Sequence, residues 1–280
     1  MEVLGQDCMT QCSQYMSNRI GGKRDTLNPY RVGVKLILDR LVWDLSFQSF
    51  YYRKRLKGLS NLYQGEKAVI VCNGPSLKQI DFSLLQGVYT FGLNKINLLS
   101  DEFNFQPSSI VAVNPFVIEQ NKDFYSSTNI PLFLDAMNSK RLISKRRNVN
   151  LIHSCDFPYF SRDCTFSAFQ GYTVTYVALQ LAYYMGFSSV AIIGLDHNYQ
   201  IEGCPNTVIK SDGNDMGHFS SSYFSKDQLW QLPDLKASEY YYNLANSCFQ
   251  EDGRKILNAS IDTDLDVFPK ITLEEFIGNE

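Results

Sequence analysis

The sequence predicts an α/β fold: a largely parallel sheet with helices on both faces, preceded by an N-terminal helical extension. Three observations carry this reading. From residue 67 onward, short β-branched runs alternate with stretches of helical period. The runs are continuously apolar, as strands are when covered on both faces. The clearest helical stretch, 174–185, is followed by Gly186 at the C-cap position.

The elements follow in order. Residues 1–29 are polar and turn-rich and end in Asn28-Pro29. Val34, Ile37, Leu38, Leu41, Val42, Leu45 and Phe50 then recur at near-helical spacing, and the basic aromatic run Phe50-Tyr51-Tyr52-Arg53-Lys54-Arg55 continues the segment. An amphipathic helix packed on the main domain accounts for this pattern. So does a peripheral surface over 31–58 that touches anionic lipid. Strands are expected at 68–72, 89–93, 110–113, 131–134, 150–152 and 189–193. A polar loop spans 200–217, a last helix 235–250, and a final strand 255–258.

Composition narrows the class. An apolar fraction of 44% against 20% charged residues is too apolar for disorder, and a net charge of −3 gives no reason to expect nucleic acid. The stretch 32–52 is interrupted by Lys35, Asp39, Arg40 and Asp44 and does not span a membrane. The N-terminus shows no basic flank followed by an apolar run, so no signal peptide is expected and the setting reads as cytoplasmic. The seven cysteines, Cys8 and Cys12 among them, are odd in number and form no CxxC pair. That argues against a disulfide framework or a zinc site and for a reducing compartment.

The chemistry gathers at strand ends, where open α/β sheets bind ligands. The first strand ends in Asn73-Gly74-Pro75-Ser76. Gly74 would admit a ligand close to the backbone, Pro75 fixes the exit, and Asn73 and Ser76 offer hydrogen bonds; a tight turn with Ser76 as N-cap is the plainer account. Strands two and three end in Asn94 and Asn114. Asparagine donates and accepts at once, which suits a base edge and ribose hydroxyls, although it also starts turns. Neither G-x-G-x-x-G nor G-x-x-x-x-G-K-[ST] is present, which disfavours a dehydrogenase or a P-loop kinase. A further strand delivers Asp196, His197 and Tyr199 to the same edge. Gly217-His218-Phe219 lies in a later loop near Tyr223. A loop histidine suits general-base work, so His218 ranks first, His197 second and His153 last.

These residues carry a resemblance. The run Ala68-Val-Ile-Val-Cys-Asn-Gly-Pro-Ser-Leu-Lys-Gln-Ile-Asp81 looks like the opening signature of bacterial sialyltransferases of glycosyltransferase family 42. Residues 173–196, with Gly186-Phe187 and Gly194-Leu195-Asp196, are similar to that family's second block. Both blocks also resemble the related group named for 6-hydroxymethylpterin diphosphokinase. The stretch from His218-Phe219 to Glu239-Tyr240, with Gly253-Arg-Lys-Ile-Leu-Asn258, looks closer to that group. The long N-terminal segment and the loop 200–217 depart from the sialyltransferase pattern.

The sialyltransferase resemblance implies a Rossmann-like fold and a CMP site lined by Asn73, Gly74, Ser76, Asn94, Asn114 and Thr173, with Pro75 shaping its turn. Tyr199 and Tyr223 would bind the leaving phosphate, and His218 would deprotonate the acceptor; no metal or other cofactor is needed. Residues 1–64 would then be an extension and 65–280 the nucleotide-sugar-binding catalytic domain. The expected reaction is inverting transfer of a sialic-acid-like (nonulosonic) sugar from its CMP donor to a glycan or glycolipid acceptor, by a chain open to oligomer formation. The alternatives are a Mg²⁺-dependent diphosphokinase acting on a small alcohol, centred on Asp196 with Asp212 or Asp215, and a non-catalytic nucleotide-binding module. Lys210 and Lys226 are further phosphate candidates.

Overall fold

The computed structural model describes residues 28–155, 158–198, 203–213, 217–220 and 223–278, with the backbone alone at 101 and 102. In chain order the strands are β1 Lys67–Val71, β2 Tyr89–Leu93, β3 Ser109–Ala112, β4 Leu132–Asp135, β5 Val149–Ile152, β6 Ser154–Cys155, β7 Ala168–Phe169, β8 Ser189–Ile193, β9 Val208–Lys210, β10 Leu229–Gln231 and β11 Lys255–Asn258. Seven of them form one sheet in the order β11-β8-β1-β2-β3-β4-β5. Every neighbouring pair in it is parallel. This is the Rossmann-like α/β architecture expected from the alternation of runs.

The unbroken apolar runs have a simple cause. Ala68 and Ile70 point into the core that holds the helix Val174–Met185. Val69 and Val71 point into the opposite core, which contains Trp43, Tyr125 and Phe276. Both faces of β1 are thus sealed, and neither parity of the strand can be polar. All residues of the Val174–Met185 helix but the first are buried. Thr173 caps its start, its Oγ1 accepting from the Thr175 amide, and Gly186 ends it at φ 97°. A Cβ there would also meet the Asn61 Cα at 2.9 Å, so both torsion and space require glycine.

After β5 the chain crosses back through this helix to lay β8 on the far side of β1. The loops leaving β1 and β8 therefore diverge, β1 toward β2 and β8 toward β11. The C-terminal edge between them is the switch point of an open sheet, the place where such folds bind ligands.

The N-terminal segment corrects one expectation. The apolar spacing over 34–50 reads as one helix, but the chain breaks at Leu45–Ser46 into the helices Pro29–Asp44 and Phe47–Lys57. Asn28 caps the first and the Ser46 hydroxyl caps the second. Trp43 alone is buried in the first helix, while the stripe from Val34 to Leu45 faces solvent rather than the domain. Half-buried Val32 and Leu36 share Trp43's side of the helix, and Trp43 itself enters the core. No helix among the described residues is long and apolar enough to cross a membrane. Cys204 is disulfide-bonded and buried, against the reading of a chain without disulfides.

Candidate functional site

The turn after β1 locks onto the loop after β8. Gly74 donates its amide to the Gly194 carbonyl at 2.8 Å, which extends the β1–β8 ladder past the strands. The Ser76 amide donates to Asp196 Oδ2 at 2.9 Å, and the Ser76 hydroxyl donates to Asp196 Oδ1. Both carboxylate oxygens are thus engaged by one residue. Burial holds the Asp196 carboxyl above the usual range, while the Ser76 bonds pull it down and the nearby Asp262 carboxylate pushes it up. Asp196 is a clamp on the Asn73-Gly74-Pro75-Ser76 turn.

Gly74 takes φ −70° and ψ 156°, torsions open to any residue, so its need for glycine is not a left-handed backbone. A Cβ at this position would fall on Asp196 and Gly194. The close approach read from the sequence is made by the protein's own loop. Pro75 opens the short 3₁₀ turn Pro75–Gln79, and Ser76 is buried.

The three strand-end asparagines differ. Asn73 is buried, and its side-chain Oδ1 has no hydrogen-bond partner. Asn94 takes φ 51°, a left-handed conformation asparagine tolerates, and its buried Oδ1 also lacks a partner. Asn114 spends its Oδ1 on the amides of Phe116 and Val117, capping the helix Pro115–Gln120, as the turn reading held. Asn94 and Asn114 nevertheless wall one cleft of about 130 Å³, together with His218, Tyr223, Trp230 and Phe224. Sequence reasoning passed over Trp230 and Phe224.

The segment carrying His218 caps this edge and is pinned to each of the first three strand ends. Beside β1, the Phe219 amide donates to the Asn73 carbonyl at 2.9 Å. Beside β2, the buried Lys95 ammonium donates to the Tyr223 carbonyl at 2.6 Å and to Gln228 Oε1 at 3.3 Å. Lys95 also lies 4.9 Å from the Phe224 ring centre, a cation–π contact. Beyond β3, the Gln120 amide donates to the Leu229 carbonyl on β10, which pairs antiparallel with β9. His218 stacks face to face on Tyr223 at 3.9 Å, with the planes 5° apart, so its ring plane is held. The signal for Lys95 was a lysine directly after a strand-end asparagine.

The remaining candidates sit nearby or elsewhere. Thr173 Oγ1 lies 3.2 Å from the Tyr242 hydroxyl at the N-terminus of the Val174–Met185 helix. Thr175, two residues on, touches Cys72 at 3.7 Å, so that helix end faces the β1 turn. Burial pushes the Cys72 thiol up to about 12, which keeps it protonated at neutral pH. His197 is buried at φ 57°, and its Nε2 lies 2.9 Å from Glu239 Oε1. His153 lies apart, buried 5.6 Å from the Trp43 ring, and burial depresses it to about 4. Tyr199 and Asp215 fall outside the described residues. Asp212, Lys210 and Lys226 are exposed on the cap. Among the described residues, no three of His, Cys, Asp and Glu gather to hold a metal. Ser76 donates to both Asp196 oxygens, so in this structure that carboxylate serves to hold the turn.

No curated protein matches the sequence. Among solved structures, the MAf glycosyltransferase from Magnetospirillum magneticum AMB-1 is similar over 82% of this chain and 39% of its own, with a TM-score of 0.47 and 13% identity. The chain spans about two fifths of that protein's length. The model of one family, described as 6-hydroxymethylpterin diphosphokinase MptE-like, matches residues 47–202, which include β1, the Asp196 clamp and the helix facing them, and on this match the chain belongs to the MptE-like family.

Proposed function

We propose that this chain is a nucleotide-dependent transferase, and specifically an inverting glycosyltransferase that moves a sialic-acid-like sugar from a CMP donor to a glycan hydroxyl. The observation that carries the reading is the composition of one edge: two buried, unpartnered asparagine oxygens at the ends of β1 and β2, with His218 in the cleft that Asn94 walls. Leaving a buried acceptor unmade costs about 1–3 kcal/mol, a penalty that a ligand's donors would remove. The exocyclic amine of cytosine and the ribose hydroxyls are such donors. The N-terminus of the Val174–Met185 helix, which faces the β1 turn, supplies partial positive charge for a phosphate bound there. The aromatic wall of Trp230 and Phe224 offers a face for the base or sugar.

In this reading, neutral His218 accepts the proton of the acceptor hydroxyl as that oxygen bonds to the anomeric carbon. The bond from that carbon to the phosphate oxygen breaks, CMP leaves with the electron pair, and the proton stays on the imidazole. Asp196 and His197 act through others: Asp196 holds the Ser76 turn, and His197 joins the β8 loop to Glu239. The resemblance of the β1 signature to family 42 sialyltransferases supports the CMP donor.

A second reading, diphosphoryl transfer from ATP to a small alcohol, is favoured by the description of the family to which the chain belongs. Thermal shifts with CMP, CDP, UDP, ADP and ATP, each with and without Mg²⁺, separate the two. A nucleotide at 100 times its Kd adds about 2.7 kcal/mol to the stability of the folded state. CMP is expected to give the largest shift, without Mg²⁺. A shift by ATP with Mg²⁺ alone would replace the first reading by the second. His218→Ala is then expected to lower kcat by about 10²–10⁴-fold and leave the CMP shift unchanged.

A further inference from the structure

The helix Pro29–Asp44 is apolar on two sides. One side carries half-buried Val32 and Leu36 and buried Trp43, which stacks on His153 of the domain. The other, Val34, Ile37, Leu38, Leu41, Val42 and Leu45, faces solvent, each side chain between 46% and 80% exposed. At 100° per residue these six fall within one arc of the helix. Phe47 and Phe50 prolong the stripe onto the next helix at 95% and 68% exposure. A contiguous patch of this size is uncommon on a soluble surface and marks a contact site.

Charge identifies what covers it. The helix Phe47–Lys57 meets the loop before β5: Arg55 donates to the Arg147 carbonyl, and Lys145 lies 3.6 Å from the Tyr51 ring centre. Residues 28–58 and 136–148 together hold twelve Lys or Arg and two Asp, in a chain whose net charge is −3. The positive charge is therefore concentrated around the apolar stripe. A symmetric pair of copies would face this basic surface with itself and pay in like-charge repulsion. An anionic bilayer complements both features, the stripe entering the acyl boundary and the bases meeting headgroups.

We infer that the two N-terminal helices form a monotopic seat on anionic lipid, with Val34 to Phe50 inserted and Lys54, Lys57, Lys145 and Arg147 at the headgroups. Trp43 contacts His153 just beyond β5, and Arg55 reaches Arg147 just before it, so the two helices run along the flank of the sheet at β5, from its C-terminal to its N-terminal end. This inference stands on the surface alone and holds whichever group the cleft transfers.

The test is co-sedimentation of the full-length protein with vesicles of phosphatidylcholine alone and of phosphatidylcholine with 30% phosphatidylglycerol. Partition into the anionic vesicles is expected to exceed that into neutral ones by about tenfold or more, and to fall several-fold between 0.1 and 0.5 M NaCl. Leu38→Glu/Leu41→Glu should abolish it, because two carboxylates cannot enter the acyl region. Lys54→Glu/Lys57→Glu, a purely surface change, should remove the anionic preference by about tenfold and serves if the first variant misfolds. Wild-type protein that ignores both vesicle types would overturn the seat. So would a wild-type dimer in analytical ultracentrifugation that Leu38→Glu/Leu41→Glu splits into monomers, which would assign the stripe to a second copy.

Discussion

Gly74→Ala probes the clamp most directly, because the structure says why glycine stands there. The torsions at Gly74 suit alanine, and on that ground alone the change would stabilise the fold by about 0.4–1 kcal/mol through the unfolded state. Packing opposes it. The new Cβ would lie 2.5 Å from Asp196 Cγ, 2.6 Å from Asp196 Oδ2 and 2.6 Å from the Gly194 carbonyl oxygen. Carbon atoms rest about 3.5–4.0 Å apart, so the carboxylate must retreat by about 1 Å, or β1 must part from β8. Overpacking of this kind costs about 1–3 kcal/mol. Each Ser76 bond to the charged carboxylate that is lost adds about 1.5–3 kcal/mol. The net expectation is a loss of about 2–4 kcal/mol, a fall in Tm of about 3–7 °C. Calorimetry reads the stability, and the nucleotide-induced shift reads the turn, which should lose most of its binding. A Tm within a degree of wild type, with nucleotide affinity intact, would refute the clamp. Asp196→Ala in the same background gives a further check: removing the carboxylate opens space for the Cβ, so the two losses should combine sub-additively by about 0.5–3 kcal/mol.

Two other expectations follow from buried charge. Lys95→Met keeps the length of the side chain but deletes the bonds to Tyr223 and Gln228, and should loosen the cap and lower stability by about 1–3 kcal/mol. Hydrogen exchange should then rise in residues 223–231 before it rises in β1, and unchanged protection there would detach Lys95 from the cap. His153 is depressed to about 4 by burial first and by Arg40 second, with Arg53 adding to the effect. Its unfolded value lies near 6.5, so the unfolded chain takes up the proton first as pH falls. The stability it contributes is whole above about pH 6.5 and drains away as pH falls toward about 4, by up to about 3 kcal/mol. His153→Phe keeps a ring against Trp43, and its urea midpoints between pH 7 and 4.5 should vary less than those of wild type; equal slopes would sink the assignment.

The fold was legible because its signals are local. A parallel strand sealed on both faces is largely apolar through its buried length, so 89–93 and 189–193 emerge at their true bounds. Thr173 and Gly186 bracket a helix by capping rules that need no tertiary knowledge. The site was legible only as a set of strand ends. That Asp196 would spend both oxygens on Ser76, 120 residues away in sequence, depends on strand order, which no window of residues contains. Asn114 shows the limit from the other side, since one asparagine can cap a helix and wall a cleft together. The N-terminal helix misled because its period fits two stripes, and spacing does not say which of them meets the domain.

The strand order also bears on how the chain is made. Ile70 pairs with Ile192, so one edge of β1 waits about 120 residues for its neighbour. At about 5–20 residues per second on the ribosome, that wait is roughly 6–24 s. Through it, the growing chain can hold β1 to β5 as a partial sheet whose open edge is β1, charged only at Lys67 and then apolar from Ala68 to Val71. An edge of that kind is a template for a neighbouring nascent chain. The yield of this protein in a cell should therefore depend on how fast translation passes from β5 to β8, and synonymous slowing between codons 153 and 189 should lower soluble yield without altering a residue.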